Sequence, residues 1–170
     1  SSSAYGAGAS AGQGWAAQLQ SNWQASAVEM RNLANPGSVT YQGLAIDAVA
    51  MPGRPLPDAE HNIDAALALK PSLLIVSYPT NDTALGFSAD ETVRNVLAIR
   101  ARALSQSVPV IVLSTQPRAM SVELLQRLDA INTLLLKEVQ ECFVPVHAAL
   151  AGVNGLLAPA YDSGDGVHPN

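Results

Sequence analysis

SLLIVSY, residues 72–78, is short, apolar and rich in branched side chains, with no polar alternation across its middle. That is the pattern of a strand buried on both faces of a parallel sheet. VPVIVLS, residues 108–114, has the same character. Strands are predicted over Leu73–Tyr78 and Val108–Ser114, with a weaker one over Ala27–Leu33 in AVEMRNL. Helical patterns lie around them at Trp15–Trp23, Pro57–Leu69, Ala89–Gln106 and Ser121–Gln140. Ser88 with Glu91 makes a capping box, and Ser121 followed by Glu123 starts the last of these helices. Strands alternating with helices predict a parallel sheet covered on both faces, a three-layer α/β/α sandwich, with the site in loops at the carboxyl ends of the strands.

A chain of 170 residues suits one domain over 1–170. Hydrophobic residues make up 48% and charged ones 14%, enough apolar surface for a packed core. Nine basic against fourteen acidic residues give a net charge of -5. With no Lys or Arg run to track a phosphate backbone, nucleic acid is not an expected partner. No stretch approaches the roughly 18 apolar residues of a membrane span. The single cysteine, Cys142, is expected to pack as a small apolar residue. SSSAYGAGASAG at the start lacks the basic and apolar regions of a signal peptide, as would a trimmed secreted chain.

Four loops fall where a site is expected: Asn32–Gly37, Pro79–Asp82, Gln116–Arg118, and Asp165–His168 in YDSGDGVHPN. Asp165 and His168 sit three apart beside glycines, so a carboxylate orienting an imidazole base is one reading and a plain solvated turn is the other. SSSAYGAG has two readings as well: a tight turn delivering a serine to a helix amino terminus, or a loose tail. His61 and His147 have no partners at ligand spacing and read as rim residues, so no metal site is expected. Trp15 and Trp23 share one helical face and read as packing residues or, with an aromatic near Ser2, as lining of an acyl or sugar pocket. Arg118 reads as a loop arginine, solvated or reaching a polar substrate group, and the stretch around Gly53 as a rigid loop beside the pocket.

In order along the chain, the Ser-x-x-x-Gly turn, NLANPG, PTND and DGVHP resemble the blocks of the SGNH (GDSL-type) hydrolases. The resemblance spans nearly the whole chain. It implies the flavodoxin-like fold of that family, a nucleophile at Ser2 (aligned on Gly6), and Asp165 with His168 as orienting acid and general base. It further implies an oxyanion hole from the Ser2 N–H, the Gly37 N–H and the Asn81 side-chain amide, with Asp82 bracing the loop. GRPLPDAEHNIDAAL and STQPR look like a bacterial, often exported, branch, which implies a secreted or periplasmic setting with the cytoplasm left open. Ser1 stands where the family usually has Asp, and Pro79 where the third block usually has Gly. The family's first strand would precede Ser1 and its last helix would follow Asn170, so the chain is expected to be truncated at both ends.

The function so implied is a serine esterase acting on small acyl esters, O-acetylated carbohydrate among them, with no metal and no organic cofactor. Lysophospholipase or thioesterase activity is an alternative within the class. A catalytically inactive carbohydrate- or ligand-binding domain of the same fold is an alternative outside it.

Overall fold

The computed structural model describes residues 1–78 and 80–170. Pro79, which replaces the glycine of the third block, lies outside the described residues. The chain runs through α1 (Ser2–Tyr5), α2 (Trp15–Gln24), α3 (Thr40–Gly43), α4 (Ile63–Ala68), β1 (Leu74–Val76), α5 (Asn81–Ala84), α6 (Ala89–Leu104), β2 (Val110–Leu113), α7 (Val122–Val139), β3 (Phe143–Val144) and α8 (Val146–Leu150).

The two apolar runs at 72–78 and 108–114 pair in parallel, Leu74 opposite Val110 and Val76 opposite Val112. β3 adds to the far side of β2, also in parallel, for the order β1-β2-β3. Parallel neighbours need crossovers, and α5, α6 and α7 supply them. The chain is therefore α/β with a parallel sheet, as the alternation of patterns predicts.

The core forms where the helices meet the sheet. Val93, Val96, Ile99 and Ala103 recur along one stripe of α6, and Ile131, Leu135 and Val139 along α7. They pack with Val110 and Val112 of β2, and Cys142 lies against the same cluster. Each such valine, leucine or isoleucine side chain contributes about 1.5–3 kcal/mol relative to exposure. The start of α6 follows from its capping box: Ser88 Oγ accepts from the Glu91 N–H at 3.2 Å, and Glu91 Oε2 accepts from the Ser88 N–H at 3.0 Å. Glu91 also receives Arg54 Nε and Nη2 at 2.9 and 3.1 Å, and the guanidinium lies 4.0 Å from the Phe87 ring centre. The loop around Gly53 is tied to the head of α6 in this way.

Two expectations need correction. Ala27–Leu33 forms no strand. A strand requires a ladder partner, and a cavity of about 830 Å³, lined by residues 27–34 with Trp15, Trp23 and Ile75, separates this segment from the outer edge of β1. The helix expected over Pro57–Leu69 begins only at Ile63. Asp58 Oδ1 accepts from the Glu60 N–H at 3.0 Å, closing a turn, and Asn62 Oδ1 then accepts from the Ala65 N–H at 2.8 Å as the helix cap. No helix among the described residues is long and apolar enough to cross a membrane.

Candidate active site

Ser2 opens the single turn α1. Ser1 caps it, its Oγ accepting from the Ala4 N–H at 3.3 Å, and Gly6 ends it in the left-handed region at φ 105°. That φ is open to glycine at little cost and explains the sharp stop of the turn. Asn32 fastens the neighbouring loop to the same turn, donating from Nδ2 to the Ala4 carbonyl at 2.7 Å.

The last ten residues fold onto this turn. Asp162 Oδ1 accepts from the Gly164 and Gly166 N–H groups at 2.9 and 3.0 Å. Asp165 Oδ1 accepts from the Val167 and His168 N–H groups at 2.8 Å each, leaving Oδ2 for the ring, where it meets His168 Nδ1 at 2.6 Å. The other ring nitrogen, Nε2, stands 3.1 Å from Ser2 Oγ. The His168 ring contact, followed by the two backbone donors, holds the Asp165 carboxyl well below the usual carboxylate range. An ionised carboxylate only accepts, so the ring proton sits on Nδ1 and Nε2 is left to accept from the Ser2 hydroxyl. In this arrangement a proton can pass from a serine oxygen to an imidazole whose orientation is fixed from behind.

Gly37 and Asn81 come from two further loops. Gly37 takes φ +78° in open space. Asn81 begins α5, and its Nδ2 donates to the Ser38 carbonyl at 3.0 Å, which joins the two loops and occupies one of its two amide hydrogens. Beneath them Asp82 is fully buried. It accepts from the Thr40 N–H at 2.9 Å, from the Thr40 hydroxyl, and from Thr92 Oγ1 at 3.4 Å. Burial pushes this carboxyl up to about 6 against the pull of those donors.

Other residues singled out in the sequence lie apart from this contact. His61 Nδ1 pairs with Asp58 Oδ2 at 3.0 Å, and His147 Nδ1 is 3.4 Å from Thr115 Oγ1. Among the described residues no group of three or more His, Cys, Asp or Glu side chains is arranged to hold a metal ion. Arg118 reaches Asn81, its Nη1 donating to Oδ1 at 3.4 Å. The sequence places Gln116 in one of the four candidate loops but assigns it no role; it is buried and donates from Nε2 to the Val167 carbonyl at 2.8 Å.

The family model described as GDSL-like Lipase/Acylhydrolase matches residues 1–170. Among solved structures the chain is similar to a protein described as an acylhydrolase from Bacteroides fragilis, with 21% identity and a TM-score of 0.67 over 94% of this chain and 74% of that one. It is also similar to the psychrotrophic esterase EstA from Pseudoalteromonas sp., in a structure inhibited by monoethylphosphonate, with 17% identity and a TM-score of 0.65 over 99% of this chain and 82% of that one. A mutant of esterase AlinE4 matches with 23% identity and a TM-score of 0.65, over 94% of this chain and 79% of that one. At these identities the likeness concerns the fold. No curated protein matches the chain in sequence.

Proposed function

This chain belongs to the GDSL-like lipase/acylhydrolase family, and from that premise we propose that it is a serine esterase cleaving small acyl esters. The observation that carries the reading is His168 standing between two partners, with Nε2 3.1 Å from Ser2 Oγ and Nδ1 2.6 Å from Asp165 Oδ2. Ser2 Oγ attacks the ester carbonyl carbon and gives its proton to His168 Nε2. The carbonyl oxygen becomes an anion, met by the Ser2 and Gly37 N–H groups and the second amide hydrogen of Asn81. Collapse of this intermediate breaks the bond to the alcohol, which leaves with the proton from Nε2. Water then attacks the acyl-Ser2 ester by the same sequence, releasing the carboxylic acid and restoring the serine hydroxyl.

Among small acyl esters, O-acetylated carbohydrate is the substrate class we favour, on the family resemblance. The mechanism draws on side chains and backbone alone. Hydrolysis of p-nitrophenyl acetate by the protein, and its loss in Ser2→Ala with the fold retained by circular dichroism, tests the reading. Full activity in Ser2→Ala would refute it.

A further inference from the structure

The loop after β2, residues 116–119, touches both halves of the site. Gln116 is only 6% exposed, and its Nε2 donates to the Val167 carbonyl, next to His168, at 2.8 Å. Ala119 adds a second tie, its N–H donating to the Gly166 carbonyl at 2.7 Å. Between them Arg118 donates to Asn81 Oδ1 at 3.4 Å. Resting on the esterase reading, we propose that this loop is a positioning yoke: Gln116 fixes the base His168, and Arg118 fixes the oxyanion donor Asn81.

The loop is built to be stiff. Pro117 is fully buried. Immediately before Gln116, the Thr115 N–H donates to Asn132 Oδ1 of α7, and Asn132 Nδ2 donates back to Thr115 Oγ1, both at 2.8 Å. Ser114 Oγ accepts from the His147 N–H of α8 at 2.8 Å. The loop therefore inherits the rigidity of the sheet and of two helices. The segment that needs holding is different in kind. Asp165 is half exposed, and the hydrogen bonds within residues 161–170 mostly close that segment on itself. Among the described residues, Gln116 and Ala119 are what hydrogen-bond its middle to the sheet side of the molecule.

Arg118 acts on orientation. An amide side chain can present either oxygen or nitrogen to a site, and a guanidinium can only donate. With Oδ1 held by Arg118 and one hydrogen held by the Ser38 carbonyl, the amide plane of Asn81 is set from both sides. The cation beside Oδ1 also polarises the amide, which strengthens the remaining N–H as a donor. Because reacting groups displaced by about 1 Å lose on the order of 100-fold in rate, such supports count.

The test compares Gln116→Leu, Arg118→Met and Arg118→Lys with the wild type. Two readouts are used: steady-state hydrolysis of p-nitrophenyl acetate, and the downfield NMR signal of the His168 Nδ1 proton. Gln116→Leu should lower kcat about 10- to 100-fold with KM within about twofold, and should shift or broaden the His168 signal. Arg118→Met should lower kcat to a similar degree with that signal unchanged, and Arg118→Lys should recover part of the loss by restoring a donor to Oδ1. A folded Gln116→Leu with wild-type kcat and an unshifted signal overturns the proposal. Should Gln116→Leu fail to fold, the half-buried Arg118 decides: wild-type kcat in Arg118→Met overturns it. If the wild type itself is inert toward the ester, the esterase reading falls, while the His168 signal still reports whether Gln116 positions the ring.

Discussion

Gly8 lies against His168 so closely that a Cβ on Gly8 would stand 2.5 Å from the Cβ of His168. The same added carbon would meet the Pro169 carbonyl oxygen at 3.0 Å, and Gly8 holds φ +90°. Gly8→Ala therefore carries both a backbone penalty and a clash that pushes the histidine loop away from Ser2. Loss of about 100-fold in kcat is expected, together with about 1–3 kcal/mol of stability by urea unfolding. Gly12 has a comparable φ of +76° with nothing within 4 Å, so Gly12→Ala should show the stability cost without the rate loss. Equal kcat in the two variants would show that contact with His168 is not what matters.

Asp82 sets a pH dependence of folding. Its carboxyl rises from an ordinary 3.8 to about 6, chiefly through burial. Below the ordinary value both folded and unfolded chains hold the proton. Between the two values only the folded chain does, so acid favours folding there. Above about 6 both are ionised and the fold bears the full cost of a buried charge. The contribution of Asp82 to stability thus falls as pH rises from about 4 to about 6, by on the order of 2–3 kcal/mol. Urea midpoints of wild type and Asp82→Asn across that window should diverge, the wild type losing more as pH rises. Parallel curves would refute this.

How much of this was legible in the sequence depends on the range over which each signal acts. The strands at 74–76 and 110–113 announce themselves because a buried parallel strand is a local apolar run. β3 has two residues, Phe143 and Val144, too few to carry any pattern. Asp58 and Asn62 cut short the predicted helix by local side-chain bonds that compete with helix formation, a signal present in the residue types and outweighed by the apolar spacing after them. In the site, the Asp165 to His168 spacing is visible because one loop carries both residues. The loop holding Gln116 is expected at the site, but the contact Gln116 makes is not legible, since its partner Val167 lies 51 residues away and a lone glutamine before a proline has no pattern of its own.

Asn81 offers a direct measure of the oxyanion stabilisation in the proposed mechanism. One amide hydrogen is committed to the Ser38 carbonyl, and in the proposed mechanism the other meets the developing anion. Asn81→Ala should lower kcat about 10²–10³-fold with a small change in KM, because a donor used mainly in the transition state contributes little to ground-state binding. A rise in KM at constant kcat would instead make Asn81 a substrate-binding residue.

Asp165→Asn separates orientation from charge at the proposed base. The carboxylate accepts the Nδ1 proton at 2.6 Å and is held from behind by the N–H groups of Val167 and His168. An amide that turns its NH2 toward the ring favours the tautomer with the proton on Nε2, where the Ser2 hydroxyl must donate. The geometry would survive while the base is blocked, and kcat should fall by about 10⁴-fold. The carboxyl lies well below its ordinary value, first through the ring contact and then through the backbone donors. Such a group stabilises the fold above the ordinary carboxylate value of 3.8, and this stabilisation is lost as pH falls through the lower folded value. Wild type should therefore lose stability in acid more steeply than Asp165→Asn. At neutral pH Asp165 is ionised throughout, so the acid limb of the rate profile should not titrate with it. A variant retaining kcat within about tenfold of wild type would remove Asp165 from the mechanism and leave His168 to act without an orienting acid.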